Sequence, residues 1–203
     1  MNVELEAPLL PRRKKGLMQV LGKIVLRLLG WRIEGELPNV AKAVLIAAPH
    51  TSNWDFVVGV AAMHELRLQI QWLGKDTLFR PPFDRFFRWM GGTPVDRNSA
   101  HGVVQETVDL FKNADSLLLG LSPEGTRKRV THWRSGFYRI AVQAGVPILP
   151  VAFDYSRKRV VLGQLLNPAD AETDFETLRG FYSTMKGKHP DNFSYEIRCR
   201  EIP

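Results

Sequence analysis

The sequence predicts an α/β protein, with a mixed, largely parallel sheet flanked by helices and an amphipathic helix at its N-terminus. Short apolar runs alternate with stretches of helical periodicity from residue 43 onward. Gly and Pro punctuate the changeovers, as at Pro81-Pro82, Gly91-Gly92 and Gly145. A chain of 203 residues, 44% hydrophobic and 24% charged, has the make-up of a folded domain and length for one sizeable core.

The first element is basic and amphipathic. Arg12-Arg-Lys-Lys15 precedes residues 16–30, where Leu17, Leu21, Ile24, Val25 and Leu28 recur at helical spacing and Gln19, Lys23 and Arg27 form a polar stripe. A bilayer span needs about 20 apolar residues, and this run is shorter and carries two cations. It also lacks the small-residue cleavage site of a signal peptide. Residues 1–30 therefore read as an interfacial helix on an anionic membrane surface, the alternative being a helix packed on its own domain. Residues 31–203 read as a single α/β domain. The net charge of +7 favours acidic partners or simply aids solubility. The single Cys199 excludes an internal disulfide and suits a reducing compartment.

Within that domain, residues 44–48 read as a buried strand and 54–66 as the helix after it. Residues 70–73 form a short strand, 83–90 a segment between the proline pair and the glycine pair, and Val103, Val104, Thr107, Val108 and Phe111 one helix face. A strand at 117–121, a helix at 136–144, a strand at 146–153, a helix between 170 and 185, and a strand at 195–199 complete the pattern. Phe83, Phe86, Phe87 and Met90 suit either a lipid contact or the core.

Two signatures follow strands. His50-Thr-Ser-Asn-Trp-Asp55 places an imidazole and a carboxylate five residues apart, the pairing that lets histidine act as a base while an acid orients it. Asp55 alternatively only charges a helix N-terminus. Ser122-Pro-Glu-Gly-Thr-Arg127 offers Glu124 to orient hydroxyls, Gly125 for close backbone approach, and the Arg127 fork for a phosphate, or else is an ordinary turn. Gly91-Gly-Thr-Pro-Val-Asp-Arg97 adds Arg97 as a second phosphate clamp, and Val146-Pro-Ile-Leu-Pro150 adds a pocket wall.

These four segments, in this order, resemble the four motifs of the glycerolipid acyltransferase family that includes 1-acylglycerol-3-phosphate acyltransferases. His50 and Asp55 match its His-x4-Asp motif (HX4D), Gly92 to Arg97 its second motif, Pro123 to Arg127 its third and Val146 to Pro150 its fourth. The resemblance implies His50 as general base and Asp55 as its partner. It implies that Arg97, Glu124, Gly125, Thr126 and Arg127 hold a lysophospholipid. It further implies acyl-CoA or acyl-carrier protein as donor substrate, with no bound cofactor, and work at the cytoplasmic face of a membrane in phospholipid biosynthesis. Ser122, where the family carries a bulky apolar residue, and Trp54, before the acid, depart from pattern and mark where specificity is to be sought.

Other chemistries fit less well. No Gly-x-Ser-x-Gly elbow supports a serine hydrolase using Ser122 or Ser52. His64-Glu65 lacks the second histidine of a zinc helix, and His101, His132 and His189 are scattered. No nucleic-acid-binding signature is present. A non-catalytic lipid-surface protein remains the alternative from another class.

Overall fold

The computed structural model describes residues 7–95 and 100–194. Along the chain they form α1 (Leu17–Leu29), β1 (Arg32–Glu34), β2 (Lys42–Ala48), α2 (Asn53–Glu65), β3 (Ile70–Lys75), α3 (Asp84–Trp89), β4 (Gly92–Val95) and α4 (Ala100–Asn113). Then come β5 (Leu117–Leu121), α5 (Gly136–Ala144), β6 (Ile148–Asp154), β7 (Arg159–Leu162) and α6 (Ala171–Tyr182). The seven strands make one sheet in the order β1-β7-β6-β2-β5-β3-β4. Every pairing is parallel except β6 with β7. The mixed, largely parallel sheet matches the expectation. Short β1, β4 and β7 were not anticipated, and the expected strand at 195–199 lies outside the described residues.

Strand alternation divides the core into two layers. Val44, Ile46 and Ala48 of β2 face a cluster built with α4, α5 and α6, through Val108, Phe111, Phe137, Ile140, Phe175 and Leu178. Ala43 and Leu45 face the other side, with Leu26 of α1 and Val58, Ala61 and Ala62 of α2. Because β2 is covered on both faces, it reads as an apolar run after its first residue, Lys42. Its neighbours β5 and β6 run parallel to it, with Ile46 opposite Leu121 and Ala48 opposite Ala152. The carboxyl ends of three adjacent strands therefore open on the same edge of the sheet.

The first helix packs against α2 with a face that periodicity alone would not select. A Cβ at Gly22 would come within 2.5 Å of the Ala61 carbonyl oxygen, so only glycine permits this approach. Leu26 is buried beside it. Gln19 also turns inward, its amide donating to the Glu65 carbonyl at 3.4 Å, which removes it from the solvated stripe expected of it. The apolar row Leu17, Leu21, Ile24 and Leu28 points outward instead, with Leu17 68% and Leu28 81% exposed. No described helix is long and apolar enough to cross a membrane.

The aromatic segment divides as well. Phe79 and Met90 are buried, and Phe87 lies among the rings of Phe56, Trp72 and Phe79. Phe83, Phe86 and Trp89 are exposed.

Candidate active site

The His-x4-Asp spacing is the geometry of a strand ending in a capped helix. Ser52 is the N-cap of α2, its hydroxyl accepting from the Trp54 amide at 3.2 Å. Asp55, at the third helical position, folds back over the first turn, the reciprocal half of a capping box. Its Oδ2 accepts from the backbone N–H groups of Thr51 and Ser52, both at 2.7 Å. That fold-back brings the carboxylate to the imidazole, with His50 Nδ1 3.3 Å from Asp55 Oδ2. Asp55 is buried, while about a quarter of the His50 side chain (24%) is accessible. The helix-terminal role and the pairing with histidine, which were alternatives from sequence, are one structure.

The second signature arrives from β5. Glu124 Oε2 accepts from the His50 backbone N–H at 2.8 Å and from the Ser122 hydroxyl at 3.3 Å. Only 4% of Glu124 is exposed, and its Oε1 has no partner among the described residues. Burial pushes the Glu124 carboxyl up to about 8, against the lowering effect of its two donors. Gly125 sits at φ +65, and a Cβ there would lie 2.7 Å from Arg134 Nε. The turn thus needs glycine twice over, for its backbone and for the guanidinium packed across it. Thr126 Oγ1 accepts from the Lys128 amide at 3.3 Å, and Arg127 is exposed in the loop that follows. Arg97 lies outside the described residues. Gly92, expected in a turn, begins β4 and packs against Trp72 and Phe79; the left-handed turn residue is Gly91, at φ +90.

Three contributors escaped the sequence reading. Tyr155, directly after β6, donates its hydroxyl to Asp55 Oδ1 at 2.6 Å. Arg134 lies over the Gly125 turn, and its N–H donates to the Pro123 carbonyl at 2.9 Å. Residues 186–189 cross the His50 loop, where the His189 amide donates to Thr51 Oγ1 at 3.2 Å. They also carry the Lys188 ammonium to 5.0 Å from the Trp54 ring centre, a cation–π distance. None of the three has a local pattern that marks it.

A family model described as Acyltransferase matches residues 31–154, more than half of the chain. The chain belongs to the acyltransferase family. It is similar to the 1-acyl-sn-glycerol-3-phosphate acyltransferase of Escherichia coli K12, at 30% identity over 150 residues, covering 69% of this chain and 60% of that protein. The enzyme of the same name from Haemophilus influenzae is 28% identical over 148 residues, covering 68% and 60%. The chain thus aligns with 60% of the length of these acyltransferases. The fold is shared with the crystal structure of the 1-acyl-sn-glycerophosphate (LPA) acyltransferase PlsC from Thermotoga maritima. That likeness has a TM-score of 0.56 at 19% identity over 79% of this chain and 73% of the other.

Proposed function

We propose that this acyltransferase-family protein moves a fatty acyl group from an acyl thioester to the free hydroxyl of a lysophospholipid such as 1-acylglycerol-3-phosphate. The observation that carries the reading is the meeting of His50, Asp55 and Glu124 at the carboxyl ends of β2 and β5, where open α/β sheets bind ligands. The names of the relatives support the acceptor class.

With its Nδ1 proton directed at Asp55, His50 presents Nε2 as the base. Nε2 takes the acceptor's hydroxyl proton as the oxygen attacks the thioester carbonyl carbon. The tetrahedral intermediate then collapses, the C–S bond breaks, and the departing sulfur takes the proton from the imidazolium. A thiol with a reference pKa near 8.5 leaves without further activation. Glu124, buried and holding a proton over much of the neutral range, offers an acid O–H for an acceptor oxygen. Arg127, with Arg97 as second clamp, carries the acceptor phosphate, while Gly125 and Thr126 shape the turn beneath it. Acyl-CoA and acyl-carrier protein are both suitable donors.

A serine-hydrolase mechanism is less well supported. The Ser122 hydroxyl donates to Glu124 and the Ser52 hydroxyl caps α2, so neither is engaged by the imidazole.

The work site we propose is an anionic membrane surface at the cytoplasmic face. An exposed aliphatic row on a docked helix is a surface that water does not favour, and Lys23 and Arg27 flank it. A polar cleft of about 320 Å³, lined by Arg13, Gln69, Gln71, Arg88 and Trp89, adds two cations, Arg13 four residues ahead of that helix and Arg88 on α3.

Thiol release from acyl-CoA or acyl-carrier protein, measured across a lysolipid panel, tests the reaction. Wild type is expected to turn over with a phosphate-bearing acceptor and His50→Ala to lose about a hundredfold or more. Equal rates for the two proteins remove His50 from the mechanism. A protein that binds anionic vesicles but releases no thiol is the non-catalytic alternative. Leu17→Ser with Leu28→Ser is expected to weaken vesicle binding without lowering the melting temperature, and unchanged binding places the contact elsewhere.

A further inference from the structure

We propose that Tyr155 is a positioning residue, clamping the catalytic carboxylate from the side opposite the base. The inference rests on the acyl-transfer reading above and assigns a part in it to a residue outside all four motifs.

Asp55 has two oxygens with separate duties. Oδ2 receives both backbone N–H groups of the helix cap and faces His50 Nδ1. Bonds to one oxygen alone leave the carboxylate loose about its terminal torsion, which is broad and roughly two-fold. The Tyr155 hydroxyl, 2.6 Å from Oδ1, removes that freedom. With both oxygens held, the group cannot exchange them or swing Oδ2 away from the imidazole. The bond is a charge-assisted one from a half-buried phenol to a buried carboxylate, where partial exclusion of water strengthens it.

The clamp is itself held. Tyr155 follows the fully buried strand β6, and its N–H donates to the Lys186 carbonyl at 2.8 Å. Its ring meets Trp31 edge to face, with centres 4.8 Å apart and planes at 86°. Trp31 is buried and follows the C-cap of α1, its N–H donating to the Leu26 carbonyl at 2.8 Å. Burial and the adjacent carboxylate push the Tyr155 phenol well above the usual tyrosine range, so it remains a donor at every working pH. The aromatic pair therefore sets the direction of a hydroxyl that is always protonated.

The test uses the full chain, acyl-CoA and 1-acylglycerol-3-phosphate, with kcat and KM measured separately. Tyr155→Phe keeps the ring against Trp31 and removes only the donor. It is expected to lower kcat about ten- to a hundredfold, with KM for both substrates unchanged. Fluorotyrosine at 155 keeps the donor at nearly the same volume and is expected to restore kcat. Trp31→Phe is expected to lower kcat less, in the same direction. Wild-type kcat in Tyr155→Phe overturns the proposal, and so does failure of fluorotyrosine to restore the rate. A rise in KM as large as the fall in kcat overturns it too. Should Tyr155→Phe not fold, Trp31→Phe decides, since loosening the ring that aims the hydroxyl must lower kcat and leave KM untouched, and wild-type kcat there overturns the proposal. If wild type itself releases no thiol, the acyl-transfer reading fails. If wild type is active, His50→Ala is not, and Tyr155→Phe matches wild type, only the clamp fails.

Discussion

The two buried carboxyls of the site are close neighbours with opposite surroundings. Asp55 is saturated, with two backbone donors, the imidazole and a phenol around its oxygens. Glu124 has donors on one oxygen and none on the other among the described residues. The difference follows from where each sits. A helix N-terminus supplies unpaired N–H groups that a carboxylate can cap, whereas a turn after a buried strand supplies burial with fewer donors. In the mechanism we propose, the first carboxyl stays put and steers histidine, and the second holds a proton that it offers to a ligand.

The strongest way to break this contrast is to delete the saturated partner. Asp55→Ala is expected to abolish turnover and to cost about 2–4 kcal/mol of stability, because it removes a helix cap and strands the Tyr155 hydroxyl. Denaturant unfolding beside thiol release checks both, and a variant as stable as wild type would mean the cap contributes little.

Glu124→Gln sharpens the other half. The folded carboxyl at about 8 lies above its unfolded value of 4.5, so the folded state binds the extra proton between those pH values. The wild type accordingly loses stability as pH rises from about 4.5 to 8, while the amide variant lacks this loss. Melting temperatures measured from pH 5 to 9 are expected to favour Glu124→Gln increasingly up to about pH 8 and by a constant margin beyond. A flat difference would place the Glu124 carboxyl in the usual carboxylate range.

The smallest effect on the protein itself is expected outside both carboxyls. Arg127→Ala should leave stability within about 0.5 kcal/mol, since the side chain is exposed. It should raise KM for a phosphate-bearing acceptor about tenfold, with less effect on one lacking phosphate. Equal rises for the two acceptors would move the phosphate elsewhere.

What could be read in advance depended on distance along the chain. The spacing Ser52-x-x-Asp55 encodes its own capping box, so the meeting of His50 and Asp55 was visible at five residues' separation. Gly125 announced a turn for the same local reason. Helix α5 appears over Gly136–Ala144, as its periodicity indicated, and Gly145 closes it in the left-handed conformation. Strands β1 and β7, with three and four residues, carry too little pattern to stand out. Helix α1 shows what periodicity leaves open. Its aliphatic stripe was read as a membrane-facing surface or else a packed one; the row points outward while the helix docks through Gly22 and Leu26, because close approach needs a missing side chain more than a hydrophobic one.

By itself, the sequence determined the local chemistry: two strand-end signatures, a capped helix, a glycine turn and an apolar row beside lysine and arginine. Hydrogen bonds and torsions within a few residues suffice for those. Only the tertiary structure decided that Glu124 reaches the His50 amide across 74 residues and that Tyr155 reaches Asp55 across 100. Those meetings depend on β5 and β6 flanking β2 in parallel, and strand order is set by packing of the whole sheet rather than by any local run.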